Sequence, residues 1–422
     1  MRSLTTARRA ATATVAWKSC GRWRQRAIRC ARVAPRASSV ARASAGDQVG
    51  VAGSRRLTIL ADSLVVGGAE RVLQALAEDL PGEGFLVRVA CLRDAGPVGE
   101  QLRRAGVEVD ERIAPWPRDP FSTLRIARYL ASHGSEIAYM LDHSNVLWHG
   151  RLAAAWCQLP QVCAIHRTRR ADGSPSLGVA DRALGRLSES VIAVSEGHAE
   201  YLSSFEGVPR GRLDVVYNGV DPGRFNGDPG TATAARDRQG LPRDAFLWGI
   251  VAALRPEKNH EMALRVLARD EDSQLVLIGS GAREEALREL AGRLNVQERV
   301  HWMGQVEDVG ALLPALDVVA LTSHPAVETF PVSLLEAMAA ARPTLATRVG
   351  SLAEMVLDGE TGYLVAASDE DAFLQRLQEL RSDAQLRLRL GQAGRERVAT
   401  CFTRREMVAQ TAQILARQLA RR

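Results

Sequence analysis

One feature constrains the fold of this chain more than any other: an alternation of short apolar runs with helical periodicity, from about Arg56 almost to the end. Leu57-Thr-Ile-Leu-Ala61 is the first run. Val72, Leu73, Leu76 and Leu80 then share one face of a helix, because positions three and four apart lie on the same side. Pro81, Gly82 and Gly84 end that helix, and Leu86-Val-Arg-Val-Ala-Cys-Leu92 reads as the next strand. Strand, helix and strand at this spacing form a βαβ unit, which implies a parallel sheet. Further strands are expected at 137–141, 161–165, 190–195 and 213–217. The second half should add strands near 246–253, 275–279, 299–303, 317–322, 344–347 and 362–365. The pattern repeats although the sequence does not, as for two separate doubly wound α/β domains. A chain of 422 residues is long enough for two such cores. The polar, Gly/Thr/Ala-rich run 223–240 suits the connection between them. The expected domains are therefore 54–240 and 241–402, with a last helix at about 405–419 inside a terminal segment 403–422.

Charge excludes one partner class. Residues 1–46 hold ten Arg and Lys18 with no acid, a contribution of +11, so the rest of a chain of net charge +6 carries 6 − 11 = −5. No footprint for nucleic acid survives in the body of the protein. Residues 1–53 show no sustained period and are expected to be a disordered or targeting extension, or the product of an upstream start codon. The paired Arg8-Arg9 is only a faint twin-arginine signal, because Ala10 to Trp17 is a poor apolar core. The six cysteines (20, 30, 91, 157, 163 and 401) contain no C-x-x-C pair, as expected of reduced thiols in a cytoplasmic protein. No run of eighteen apolar residues reads as a membrane span.

The chemistry concentrates at strand ends. Residues 317–322 form a buried run, followed by Ser323-His-Pro-Ala-Val-Glu328-Thr-Phe-Pro-Val-Ser-Leu-Leu-Glu336. Pro331 fits the first helical position, where its missing N–H costs nothing. A helix opening there presents free N–H groups to a phosphate. Glu328 would lie in the loop above that site and Glu336 about two turns inside. Each carboxylate can accept from two vicinal hydroxyls, one suiting a ribose and the other a sugar. The second half's first strand leads to Ala252-Ala-Leu-Arg255-Pro-Glu-Lys258-Asn-His260, whose cations would clamp a diphosphate and offset leaving-group charge. Only two lysines exist, Lys18 and Lys258, against 53 arginines (55 − 2), which makes Lys258 informative. Gly67 and Gly68 sit at the first strand-to-helix turn, where backbone can approach a ligand closely. His143 and His166 each follow a strand, at the carboxyl edge where ligands bind in such sheets. The basic stretch from Arg167 to Arg170 could guide an anionic acceptor or a lipid head group, although charged exposed loops are common.

Glu328-Thr-Phe-Pro-Val-Ser-Leu-Leu-Glu336 resembles the E-x7-E signature of the retaining GT-B glycosyltransferases of family 4. Gly67-Gly-Ala-Glu70 is similar to that family's GGAE-type loop near donor phosphate and acceptor, and Asn218-Gly-Val-Asp221 to its NGVD segment. The resemblance covers nearly all of 56–420, with the segments in the family's order. It implies a GT-B fold: two Rossmann-like domains facing across a cleft, donor bound mostly by the second, and a terminal helix crossing back to the first. It also implies transfer of a sugar from a nucleotide diphosphate sugar to a glycan, lipid-linked or small-molecule acceptor, with retained anomeric configuration and no protein nucleophile. On that basis Lys258 with Arg255 holds the diphosphate, Glu336 the ribose and Glu328 the donor sugar. His166 lies beside that sugar, and Thr329, Phe330, Pro331, Val332, Gly67 and Gly68 contact the donor. The family's usual Arg, five residues before the Lys, falls on Ala253, with Arg255 as its substitute. No cofactor or metal is expected, and the protein would be cytoplasmic, with peripheral contact at the inner face of the membrane.

Other patterns are weaker. Gly279-Ser-Gly281 lacks the third glycine of a dinucleotide site, since Glu284 stands there. Asp270-Glu-Asp272 and Asp369-Glu-Asp371 match D-x-D literally but sit in polar turns. Glu328 and Glu336 as a glycosidase pair would lack a second acidic cleft. A sugar-nucleotide epimerase of the same fold, or a subunit that binds nucleotide sugar without turnover, stands as the alternative to a transferase.

Overall fold

The computed structural model describes residues 54–65, 67–116, 119–143, 145–168, 183–225, 229–325 and 328–421. The extension and part of the basic stretch, Arg169 and Arg170, lie outside them. Strands β1 (Arg55–Ala61), β2 (Phe85–Cys91), β3 (Glu108–Asp110), β4 (Ile137–Leu141), β5 (Gln161–Ile165), β6 (Ser190–Ala193) and β7 (Leu213–Val215) form one sheet. Its order is β3-β2-β1-β4-β5-β6-β7, all parallel. Strands β8 (Phe246–Val251), β9 (Ser273–Ile278), β10 (Val300–Gly304), β11 (Val318–Leu321), β12 (Thr344–Thr347) and β13 (Gly362–Val365) form the second. That sheet is also parallel, in the order β10-β9-β8-β11-β12-β13. Both orders are doubly wound. In each the chain runs outward from its first strand, then crosses back to its other side, so a switch point opens between β1 and β4 and another between β8 and β11.

Helices cover the sheet faces, and the apolar runs are buried as continuous runs rather than alternately, as parallel strands covered on both sides require. All five residues of β4 and of β5 are buried. In the first helix, Gly68–Asp79, the buried residues include Val72, Leu73 and Leu76.

Three local features differ from expectation. Strand β3 is a three-residue edge strand, two of whose residues are acids, too short and polar to show as an apolar run. The 223–240 run contains the helix Pro229–Gln239. Arg236 there donates to Ala315 O (2.9 Å) and Asp317 Oδ2 (2.9 Å), which fastens this helix to the segment that enters β11. Pro331 is the residue before the helix Val332–Ala339 rather than its first, because its ψ of 121° is still extended.

The last helix, Arg404–Leu419, packs back on the first helix. Arg404 there reaches Glu78 (2.8 Å) and Asp79 (2.6 Å). Phe402 O accepts from Val220 N–H, and Val220 O accepts from Arg404 N–H, stitching the two passes of chain together. Gly219 permits it, since a Cβ there would lie 2.3 Å from Thr403 O. Among the described residues, Cys91, Cys157, Cys163 and Cys401 are free thiols, and no helix is long and apolar enough to cross a membrane.

Candidate active site

The loop leaving β8 is held edge-on against the exit of β9: Ala252 N–H donates to Ile278 O and Leu254 N–H to Ser280 O, both at 3.0 Å. Cβ atoms at Gly279 and Gly281 would meet Ala252 O at 2.1 Å and Leu254 O at 2.4 Å. Gly279-Ser-Gly281 is thus a packing joint, which explains the glycines without a dinucleotide. The loop then makes a single turn, Pro256–Lys258, and Asn259 at φ 50° turns the chain into the helix His260–Arg269. The Thr322 hydroxyl, just after β11, donates to Lys258 O and Asn259 O at 3.0 Å each. The two loops of this switch point are therefore tied together.

Across that tie, Lys258 Nζ lies 2.5 Å from Glu328 Oε1, and the Ser323 hydroxyl donates to the same oxygen at 2.5 Å. Glu328 is 4% exposed. Its position is fixed from behind by Gly350, at φ 52°, where a Cβ would fall 1.7 Å from Glu328 O. Glu336 is the fifth residue of its helix, so it lies little more than one turn inside rather than two. It is half-buried and faces a cleft shared with Arg71, Gly219, Arg224, Asp308 and Val332. Burial pushes its carboxyl up to about 7, with Arg71 and Arg224 pulling it down and Asp308 pushing it up. Glu328 and Glu336 thus have different partners on one helix junction: one bound to a cation and a hydroxyl, the other facing an open cleft.

The first sheet's switch point faces this junction. Gly67 precedes the first helix in extended backbone, where a Cβ would lie 2.4 Å from Glu70 Oε2. Gly68 lies over the second domain, where its Cβ would be 4.0 Å from Val332 Cγ2. His143 Nδ1 accepts from Asp62 N–H (3.3 Å), which leaves Nε2–H toward the buried Glu70 carboxylate at 3.5 Å. His166 donates its backbone N–H to Asp142 Oδ2 (2.9 Å), and its carbonyl accepts from the Thr329 hydroxyl (2.8 Å). That last bond brings His166 to the residue after Glu328. The ring's Nε2 is buried with no hydrogen-bond partner among the described residues. Burial, reinforced by His198 and His143, pushes His166 down to about 3, so it is a neutral imidazole at working pH.

The structure therefore brings together Lys258, Glu328, Thr329 and His166, with Gly68 and Val332 adjoining. Arg255 is exposed on the turn ahead of Lys258 and makes no side-chain bond among the described residues. Phe330 points into the core, 5.1 Å from the Tyr217 ring and 5.2 Å from that of Phe402, so its side chain does not reach the cleft. Its carbonyl accepts from Asn218 Nδ2 at 2.7 Å. Asn218, Ser323, Thr322 and Gly350 shape the site; Asn218 and Ser323 lie in segments the sequence singled out, whereas nothing in the local sequence announces the roles of Thr322 and Gly350.

The sequence profile described as Glycosyltransferase Family 4 matches residues 66–224, and that described as Glycosyl transferases group 1 matches residues 232–397. The chain belongs to the group 1, family 4 glycosyltransferases. Its relatives include the D-inositol 3-phosphate glycosyltransferase of Streptomyces avermitilis, 33% identical over 63% of this chain and 62% of that protein. Another is the N-acetyl-alpha-D-glucosaminyl L-malate synthase of Bacillus anthracis, 29% identical over 53% and 59%. The match thus spans about three fifths of the length of these relatives. Among solved structures, Anabaena HepE in complex with UDP-glucose superposes with a TM-score of 0.76 at 22% identity, over 86% of this chain and 99% of that one. The fold of this family member is accordingly GT-B.

Both D-x-D runs of this glycosyltransferase-family chain are engaged in ion pairs and a helix cap. Arg381 pairs with Asp270 (3.2 Å) and with Asp272. Asp369 caps the helix Glu370–Ser382, and Asp371 pairs with Arg269 at 2.7 Å. Among the described residues no group of three or more His, Cys, Asp or Glu is arranged to hold a metal ion.

Proposed function

We propose that this protein transfers a glycosyl unit from a nucleotide diphosphate sugar to a hydroxyl acceptor, with retention of anomeric configuration and without a metal. The observation that carries it is the 2.5 Å contact of Lys258 with Glu328 at the β8–β11 switch point, beside the start of the helix Val332–Ala339. A diphosphate at that helix start would meet the Lys258 ammonium and the helix N–H groups, with Arg255 able to swing in from the exposed turn. Glu336 then accepts from the ribose diol and Glu328 from sugar hydroxyls, while His166, neutral, lines the sugar's polar edge. Glu328 is engaged by Lys258 and Ser323, which suits sugar recognition better than attack on an anomeric carbon. Departing phosphate and acceptor hydroxyl then meet on one face of the sugar.

Acceptor and location are proposed more coarsely. The relatives named above are a D-inositol 3-phosphate glycosyltransferase and an N-acetyl-alpha-D-glucosaminyl L-malate synthase, so a small hydroxylated anion joins glycan and lipid-linked acceptors as a class to test. A lipid-linked acceptor would bring a cytoplasmic enzyme to the membrane surface. A thermal-shift panel of UDP-, GDP- and ADP-sugars tests the donor, because a ligand that binds only the folded state raises the melting temperature. UDP-sugars head that panel, as HepE holds UDP-glucose. No shift with any of the three classes would refute the proposal.

A further inference from the structure

Glu354 stands in the helix Leu352–Met355, in the second domain just beyond Gly350. Its carboxylate reaches across to the first domain and sits on the start of the helix Glu196–Ser204. Glu196 N–H donates to Glu354 Oε2 (3.0 Å) and Gly197 N–H to Oε1 (2.7 Å). Ser195 accepts from His198 N–H at 3.0 Å, so the first three N–H groups of that helix are satisfied, two of them by the other domain. The Ser195 and Ser351 hydroxyls share a 2.6 Å bond, and the Tyr217 hydroxyl donates to Glu354 Oε2 at 2.8 Å. Arg397 fixes the short helix from beneath by donating to Glu354 O (2.6 Å) and Met355 O (2.8 Å).

Two routes lead from this carboxylate to the reacting cleft. Along the first, the capped helix holds His198, whose Nδ1 accepts from Val194 N–H (3.3 Å) and whose Nε2 then donates to Arg167 O (3.0 Å). Arg167 follows His166 directly. Along the second, Tyr217 packs on Phe330, two residues beyond Glu328. At the near end of the same segment, Gly350 lies tight against Glu328 O. Residues 350–354 therefore touch the Glu328 backbone at one end and are linked at the other, through the helix Glu196–Ser204 and His198, to the His166 loop.

We infer that Glu354 is a positioning residue, which sets the closure of the two domains so that His166 stands over the donor sugar held by Glu328. This rests on the proposed transferase function. A carboxylate fits the role because it offers acceptor sites to two N–H groups and a hydroxyl at once. It touches no part of the donor site, so it should act on turnover and not on nucleotide binding.

The test uses the full chain with Glu354→Gln, which keeps shape but presents an amide NH2 to one of two N–H donors, and Tyr217→Phe, which removes only the hydroxyl. Nucleoside diphosphate binding is read by calorimetry, turnover by steady-state kinetics, and backbone order by hydrogen exchange. Glu354→Gln should keep nucleotide affinity within about twofold and lower kcat by on the order of 10²-fold, the scale of a misplacement of about 1 Å. Exchange should quicken in peptides covering 195–204 and 161–168. Tyr217→Phe should lower kcat less, again without loss of nucleotide affinity. Wild-type turnover in Glu354→Gln, or unchanged exchange in both peptides, would overturn the inference. If wild-type protein binds no nucleotide sugar, the functional proposal fails first, and the exchange result still judges the positioning.

Discussion

Lys258 Nζ and Glu328 Oε1 are 2.5 Å apart although 70 residues separate them in the chain, and the Ser323 hydroxyl donates to the same carboxylate oxygen. A diphosphate arriving at the start of the helix Val332–Ala339 would compete with Glu328 for the ammonium. Glu328 would then be freed to accept from the sugar. The charge on Lys258 matters most as the diphosphate leaves, so Lys258→Ala should cost on the order of 10²-fold or more in kcat. Lys258→Arg should not restore it fully, because a planar fork cannot occupy the point-charge position between Glu328 and phosphate. Single-turnover kinetics with the preferred donor would measure both.

Gly350 makes a sharper structural prediction. Its φ of 52° is unfavourable for a side chain by about 1–2 kcal/mol, and a Cβ would stand 1.7 Å from Glu328 O. Asn tolerates that backbone better than Ala does but adds the same Cβ. If displacement of Glu328 is what matters, Gly350→Ala and Gly350→Asn should both weaken donor binding by about tenfold or more, roughly 1.4 kcal/mol. Titration of the two variants checks it. A much milder loss in Gly350→Asn would assign the effect to backbone strain alone.

The raised carboxyl of Glu336 predicts pH dependence of definite sign. It moves from about 4.5 to about 7, so between those values the folded protein keeps a proton that the unfolded chain has released. Its contribution to stability therefore falls as pH rises through that window and is level above it. Glu336→Gln should remove this slope, gaining melting temperature relative to wild type at pH 8 and losing that advantage at pH 5. Donor affinity of the wild type should strengthen as pH rises past about 7, because the ribose diol needs the ionised acceptor. The Gln variant should show a raised donor KM, little change in kcat and no such pH limb.

Stereochemistry and metal dependence are tested on the product. Activity should persist in EDTA, and proton NMR of the early product should show the donor's own anomeric configuration. An inverted product, or loss on chelation reversed by manganese, would contradict the proposed chemistry.

The fold was largely legible because buried parallel strands are written as unbroken apolar runs, so every strand of the second sheet lies within about two residues of where its run suggested. Strand β3 was not, since three residues at an edge, two of them acids, carry no such run. The helix Pro229–Gln239 was hidden by a Gly- and Thr-rich start and by a polar face that packs through Arg236. At the site, Lys258, Glu328 and His166 could be picked out by residue type after strand ends and Glu336 by its spacing from Glu328, with their roles implied by the family resemblance. Glu354 could not, because its meaning lies in bonds to Glu196 and Gly197, 158 and 157 residues away. Gly279, Gly281 and Gly350 were likewise opaque: the carbonyls that exclude a side chain from them belong to other strands' loops.

Release of nucleoside diphosphate from the donor that gives the largest thermal shift, followed with and without acceptor extract in wild type and Lys258→Ala, tests glycosyl transfer most directly. Transfer through Lys258 predicts release that depends on acceptor in the wild type and is slower by on the order of 10²-fold in the variant. Equal release with and without acceptor would point to an epimerase or hydrolase, and binding with no release to a subunit without turnover. Either outcome, or a Lys258→Ala rate equal to wild type, would contradict it.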